Sequence, residues 1–462
     1  MPMETQHDSG TATAKVAPTT NGISIYRLLL LGVLALLGFA QVVPNALLVS
    51  VVTIVVLLEF LERLDCGLPL IQLTVLIAVL QWLVGPILVY QSDLSLGRYR
   101  MYVEESRYFQ FALPATLGYA VAMLGFGRTV QQRELLLTVD RSSFIKIGSV
   151  LTAIGIIASV AAPRFSGTFQ FVFFLISQSM YVGSIYFLMS RHELRLLLAL
   201  GPMSFLLMFT LNSGRFHDLL IWSAVLFCYW FAERKYFLGT KVVIFASIVL
   251  LIFGIQSVKN NYRSALNRGD TPSLLSLMRD NLKPGGLAWE EGALSNALVR
   301  LNQGWIVSAV MHHVPESEPF AAGETVKNAV VSSLLPRFLA PDKKGAEGRE
   351  NFRRFTGLEI AESTTMAISP LGEAYANFGI AGGILTLTIF GAIFSVGYAL
   401  FGASLNRFPT FYFWLPFIFY QAIKAETEFV VIINQLVKGT IVAIVLYCFV
   451  NMNFPTLRKQ QA

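Results

Sequence analysis

Ser369-Pro370-Leu371-Gly372-Glu373-Ala374-Tyr375-Ala376-Asn377-Phe378-Gly379 closes a long polar stretch and opens a long apolar one. It sets a carboxylate, Glu373, at the threshold of hydrocarbon, with Tyr375 and Asn377 following at a spacing of two and four. A charge in that position costs free energy unless it is paired or used, so the surrounding chain decides what it is for.

The 462 residues are 55% hydrophobic and only 14% charged, with a mean hydropathy of +0.60. Soluble domains carry roughly 25% charged residues, so the composition defines an all-α polytopic membrane protein. Apolar runs of ~17 to 25 residues can cross a bilayer as helices, which gives about twelve spans. They fall near 27–42, 45–62, 69–90, 108–126, 144–162, 168–190, 195–212, 216–232, 241–257, 376–401, 409–423 and 429–452. Lys+Arg exceed Asp+Glu by 35 to 28. In a chain this apolar the excess reads as membrane anchoring and contact with anionic lipid, with no nucleic acid partner. Cys66, Cys228 and Cys448 sit in or beside apolar runs, with neither a disulfide framework nor zinc-ligand spacing, and read as small core residues.

With the N-terminus in the cytoplasm, one set of short segments holds Arg63, Arg128, Arg133, Arg191, Arg195, Arg234, Lys235 and Arg407. The opposite short loops are poorer in basic residues, as the positive-inside rule requires. Residues 1–25 then form a disordered cytoplasmic tail and 26–257 the N-terminal spans. Residues 258–375 make a large outward loop, 376–453 the C-terminal spans and 454–462 a second cytoplasmic tail. A loop of that length is expected to carry structure. Leu287–Val314 reads as one amphipathic helix, Glu324–Leu335 as another and Leu274–Leu282 as a third, lying on the membrane or capping the bundle, while Glu347–Arg354 reads as flexible loop.

The outward face is rich in arginine. Arg215 sits in a tight turn between two spans, Arg263 leaves a span in Asn260-Asn261-Tyr262-Arg263, Arg300 lies in a helical piece and Arg337 follows another. Guanidinium groups grip phosphate oxygens through paired donors, so a convergence of these four would hold a lipid-linked phosphate or pyrophosphate. Arg349, Arg353 and Arg354 read instead as a solvated charged patch. Glu373 is the best-placed general base, against the alternative that it complements the dipole of its own helix. His312 and His313 are second-choice bases, and Lys424, Glu426 and Glu428 lie in a short loop that could reach the same pocket. No Asp-x-Asp pair, Walker loop, zinc helix signature or nucleophile elbow occurs, so the expected chemistry needs neither metal nor cofactor.

Four elements in order carry a resemblance: Ser213-Gly214-Arg215, Tyr262-Arg263, the Leu335–Lys343 stretch with Pro336-Arg337, and Gly372-Glu373-x-Tyr375-x-Asn377-Phe378-Gly379. From about Leu206 to Gly383 the chain resembles the bacterial oligosaccharide repeat unit polymerases, the Wzy-type O-antigen, capsule and exopolysaccharide polymerases. The resemblance implies a GT-C-like, metal-independent glycosyltransferase of the inner membrane. Such an enzyme transfers a glycan from undecaprenyl pyrophosphate to a second lipid-linked repeat unit and releases undecaprenyl pyrophosphate. It assigns Arg215, Arg263, Arg300 and Arg337 to pyrophosphate, Glu373 to the acceptor proton, and Tyr375, Asn377 and His312 to positioning. It also points to a chain-length regulator and a flippase as partners. An O-antigen ligase shares this chemistry, and a lipid-linked oligosaccharide flippase or other transporter is the reading from another class. Against a transporter stand the absence of repeated halves and the scarcity of ionisable groups within the apolar runs, where Lys438 is the main one.

Overall fold

A computed structural model describes residues 22–92, 94, 96–127, 129–213, 217–249, 295, 298–334, 348–361 and 364–456. Every regular element among them is helical. The principal helices are α1 (Ile25–Ala40), α2 (Asn45–Arg63), α3 (Leu70–Tyr90), α4 (Glu105–Phe126), α5 (Phe144–Arg164) and α6 (Phe169–Met189). They continue with α7 (Arg195–Ser213), α8 (His217–Phe231), α9 (Leu238–Val249), α10 (Gly304–His313), α11 (Glu324–Leu334) and α12 (Gly348–Thr356). Two long helices, α13 (Ser369–Ser404) and α14 (Phe429–Asn453), complete the set.

Seven of these, α2 to α6, α13 and α14, are long and apolar enough to cross a membrane, and four shorter apolar helices accompany them. Their outer faces expose large apolar side chains such as Leu36, Ile157, Phe169, Leu197, Leu385, Ile393, Ile441 and Phe449. Apolar surface on this scale is stable against lipid, not water. Polar contacts gather at the two ends of the bundle. At one end Arg27 binds Glu59 at 2.6 Å and Glu62 at 2.7 Å, Lys241 meets Asp65 at 2.8 Å, and Arg195 meets Glu233 at 2.8 Å. At the other, Asn45 donates to Glu105 at 3.0 Å and Lys424 meets Asp218 at 2.9 Å.

α4 and α13 pack along each other over most of their length. Gly118 faces Thr388, Gly383 faces Phe111 and Gly391 faces the carbonyl of Tyr119, and Ser395 Oγ donates to Met123 O at 2.9 Å. Small residues allow this backbone approach, since lipid supplies no hydrophobic drive between helices.

Four expectations change. The 409–423 span is not one helix but three short pieces, Pro409–Trp414, Leu415–Ile418 and Tyr420–Ile423, almost wholly buried. Pro416 follows the first of these, where proline cannot donate to a helix. The Tyr412 and Phe413 rings instead pack on Tyr229, Phe144 and Tyr186. Leu287–Val314 is not continuous either: the helix breaks at Asn302 and Gln303, and the Gln303 N–H donates to Gln81 O at 3.1 Å. Gln81 O is available because α3 widens into a π turn over Leu80–Val84. The charged patch taken as flexible loop is helix α12, which buries Phe352 and Phe355. Two of its three arginines are in ion pairs: Arg354 reaches Glu318 at 2.6 Å and Glu324 at 2.9 Å, and Arg353 reaches Glu359 at 2.9 Å, while Arg349 donates to Thr364 O at 3.3 Å. Lastly Cys448 is exposed on α14, whereas Cys228 is buried. α11 forms as expected. α10 and α11 cap the bundle, with Gly304 to Met311 buried against α13, α12 and α3. The expected helix Leu274–Leu282 lies outside the described residues.

α13 is bent at Gly379, whose φ of 65° and ψ of −156° are closed to a side-chain-bearing residue. A Cβ there would also stand 3.1 Å from the Phe320 ring. Gly379→Ala should therefore destabilise the fold by roughly 1–3 kcal/mol, the range for a forced backbone outlier. A lower melting temperature in detergent and reduced abundance in membranes are the expected readouts; an unchanged melting temperature would remove the break from the features the fold requires.

Candidate functional site

Ser369 to Phe378 form a half-helix ahead of the Gly379 break, and Ser369 to Asn377 are all buried. Pro370 sits in its first turn, where its fixed φ suits helix initiation, and the Gly372 N–H donates to Ser369 Oγ at 3.3 Å. Glu373 lies one turn in and is only 1% exposed. Its partner is a different helix from its own: Oε2 accepts the N–H of Phe429, the first residue of α14, at 2.8 Å. The carboxylate thus completes the N-terminus of the last helix, where unsatisfied N–H groups and the helix dipole favour negative charge. The alternative that Glu373 serves its own helix dipole is replaced by this contact.

The residue before Phe429 is a second buried carboxylate, Glu428, also 1% exposed. Its Oε2 accepts from Asn351 Nδ2 at 2.8 Å and its Oε1 from the Ile368 N–H at 3.4 Å. Among the described residues neither glutamate meets an arginine or lysine within ion-pair distance. Burial pushes the Glu428 carboxyl above the ordinary carboxylate range, an effect that the Asn351 and Ile368 donors partly offset.

Asn377, one turn after Glu373, closes the other side. Its Nδ2 donates to Thr325 Oγ1 and to Glu373 O, both at 2.7 Å, and its Oδ1 accepts the Gly323 N–H at 3.0 Å. The Ala321 and Ala322 N–H groups bind Ala376 O at 3.0 Å and Asn377 O at 3.1 Å. A strap of residues 321–323 is thereby tied across the carbonyls that the Gly379 break leaves free. Thr325 also hydrogen-bonds Glu373, so one cluster contains Glu373, Glu428, Thr325, Asn351 and Asn377.

The other expected site residues lie apart from this cluster or outside the described residues. Tyr375 is packed between Phe111 and Phe320, with ring centroids at 5.1 and 6.1 Å, and does not orient Glu373. His312 is exposed beside Tyr102, with centroids 6.4 Å apart. Arg300 is exposed on the last turn before the Asn302 break. Arg215, Arg263 and Arg337 lie outside the described residues. The 424–428 loop divides: Glu428 enters the cluster, while Lys424 turns to Asp218, and Glu426 to His217 at 3.5 Å and Gln303 at 3.3 Å. Glu428 shares the signal that drew attention to Glu373, a carboxylate immediately before an apolar run. Thr325 and Asn351 carry no such signal, because only the fold of the long segment brings them in.

Helices with apolar outer faces and polar ends make this a helical membrane protein. Residues 107–453 match the family described as "Domain of unknown function (DUF8712)", and the chain belongs to it. The match runs from α4 through α14, so the whole carboxylate cluster lies inside it. No curated protein and no solved structure matches the chain.

The raised Glu428 group has a consequence for stability. A carboxyl whose folded-state pKa exceeds its unfolded value binds its proton more tightly when folded. Its contribution is fully present below the unfolded value near ~4.3 and is lost as pH rises through the folded value. The melting temperature of the detergent-solubilised protein should fall as pH rises above the ordinary carboxylate range, and Glu428→Gln should flatten that slope. A slope unchanged in the variant would mean that Glu428 is not its source.

Proposed function

We propose that the chain is a membrane-integral glycosyltransferase of the repeat unit polymerase kind, with Glu373 as its general base. Twelve crossings, a GT-C-like arrangement, cytoplasmic termini and an inner-membrane location belong to the same proposal. The observation that supports it is the placement of Glu373: a buried carboxylate among Thr325, Asn377, Asn351 and Glu428, at one end of a membrane bundle, roofed by α10, α11 and α12. A lipid-linked substrate presents its reacting sugar at that depth, with its chain in hydrocarbon and its glycan in water.

In this reaction the acceptor hydroxyl gives its proton to Glu373 as its oxygen bonds to the anomeric carbon of the donor. The bond from that carbon to the pyrophosphate oxygen breaks, and undecaprenyl pyrophosphate departs with the electron pair. Arg215, Arg263, Arg300 and Arg337 are proposed to take up the charge that grows on the leaving group. The 321–323 strap covers the site, so a sugar hydroxyl gains access when its hydrogen bonds to Ala376, Asn377 and Asn377 Oδ1 open.

A transporter is favoured by a specific feature: a helix broken at Gly379 beside paired buried carboxylates is also how proton-coupled carriers are built. Two assays on purified protein separate the two. Given lipid-linked repeat units, the polymerase lengthens them, also in the presence of a chelator, and Glu373→Gln lowers turnover by about 10²-fold or more at normal membrane abundance, as for loss of a general base. Proteoliposomes that move such units or protons without lengthening the glycan would assign the cluster to transport. Transfer only to a lipid A core acceptor would assign the ligase chemistry.

A further inference from the structure

A cavity of about 110 Å³ opens between α5, α6, α7 and α8, away from the carboxylate cluster in its lining. The buried Gln178, Ser177, Tyr181, Trp222 and Tyr420 and the half-exposed Asp218 line it, and the exposed rings of Phe174 and Phe209 belong to its wall. Gln178 is the point where α6 breaks, between helical pieces Gly167–Ser177 and Ser179–Met189. Its side chain is only 3% exposed, yet neither Oε1 nor Nε2 has a hydrogen-bond partner among the described residues. A buried amide left unpaired costs roughly 1–3 kcal/mol for each polar group, so this one is free to take a partner that enters the cavity.

The surroundings narrow what that partner is. Trp222 stacks on Tyr420 with centroids 5.4 Å apart and planes 15° apart, and packs on Tyr181 at 4.9 Å, which makes a rigid aromatic wall. Asp218 does not call for a cation: its Oδ1 already accepts from Lys424 Nζ at 2.9 Å and from the Tyr420 hydroxyl. Its Oδ2 has no hydrogen bond among the described residues and can accept a hydroxyl. These groups suit a neutral ligand that offers an amide to Gln178, a hydroxyl to Asp218 and an apolar face to the aromatic wall. The two exposed phenylalanines, set in the lipid-facing surface, add an attached apolar chain.

We propose that this cavity binds the acetamido group of an N-acetylated sugar headgroup carried by a membrane-lodged amphiphile. The acetamido carbonyl accepts from Gln178 Nε2 and its N–H donates to Oε1, while a ring hydroxyl donates to Asp218 Oδ2. The proposal deepens the glycosyltransferase assignment by naming a sugar class, and rests on it only for the reason a glycan is there.

The test is equilibrium binding to purified protein in nanodiscs, read by tryptophan fluorescence, with four probes: octyl N-acetylglucosaminide, octyl glucoside, octanol and free N-acetylglucosamine. Octyl N-acetylglucosaminide should bind about tenfold or more tighter than octyl glucoside, as expected for a reciprocal amide pair, with octanol and the free sugar weaker still. Gln178→Leu, with Gln178→Met as a second variant of similar volume, should erase that preference while melting at the same temperature or higher, since an unpaired amide is removed. Equal binding of the two glycosides, tighter binding of octanol, a preference that survives both substitutions, or no saturable binding at all would overturn the proposal. The last is the result for a cavity that only holds water. Because binding is measured without turnover, failure of lipid-linked units to lengthen would leave these ratios standing.

Discussion

A backbone N–H or C=O buried away from water must find a partner, and in a lipid-embedded chain the solvent offers none. The regular helices meet this demand internally; the architecture is set by the places where they cannot. At the π turn of α3, Gln81 O accepts from the Gln303 N–H and Trp82 O from the Tyr108 hydroxyl at 2.8 Å. Along the broken segment between α13 and α14, Phe417 O accepts from Gln435 Nε2 at 2.8 Å, Tyr412 O from the Tyr229 hydroxyl at 2.9 Å, and Ala425 O from Trp82 Nε1 at 3.0 Å. At Gly379 the freed carbonyls recruit the 321–323 strap. Each break is therefore also a junction, because satisfying it draws in a residue distant in sequence.

The carboxylate cluster follows from the same constraint. The N-terminus of α14 leaves N–H groups facing inward, and Glu373 supplies the acceptor from another helix. A neutral side chain could fill that role. A carboxylate does so only where its desolvation is offset, here by the helix N-terminus and by Thr325, and a second carboxylate in the same dry volume makes the arrangement harder to sustain as two charges. Glu428 is held in that volume by Asn351 and the Ile368 N–H, so each acid ties a different segment to the N-terminus of α14.

What was legible in the sequence follows from which forces are local. Apolar run length marks membrane helices, so α2 to α6, α13 and α14 could be placed from hydropathy alone. Glu373 and Glu428 were visible as charges abutting such runs. The 409–423 segment misled because hydropathy does not distinguish a lipid-facing helix from an irregular aromatic core, and both are equally apolar. Glu347–Arg354 misleads in the opposite direction: its charges hide Phe352 and Phe355, whose burial decides the matter, and the acidic partners of Arg354 lie 30 and 36 residues away. Tyr375 illustrates a third limit, since two-residue spacing from Glu373 puts it on a different side of a helix.

Gln178 interrupts α6 with near-helical dihedrals, φ −68° and ψ −12°, and its backbone is satisfied, with the Gln178 N–H bound to Leu175 O at 3.1 Å. Both polar atoms of its side chain are unpaired among the described residues, whereas Gln435 gives its amide to Phe417 O and Gln132 gives its own to Tyr229 O at 2.9 Å while its Oε1 stays unpaired. With neither polar atom paired among the described residues, Gln178 lines a cavity walled by Trp222, Tyr181 and Tyr420, where we propose that a sugar amide binds. The bundle thus holds its buried polar side chains in two ways: acids bonded by the chain at the N-terminus of α14, and at the α6 break an amide unpaired among the described residues.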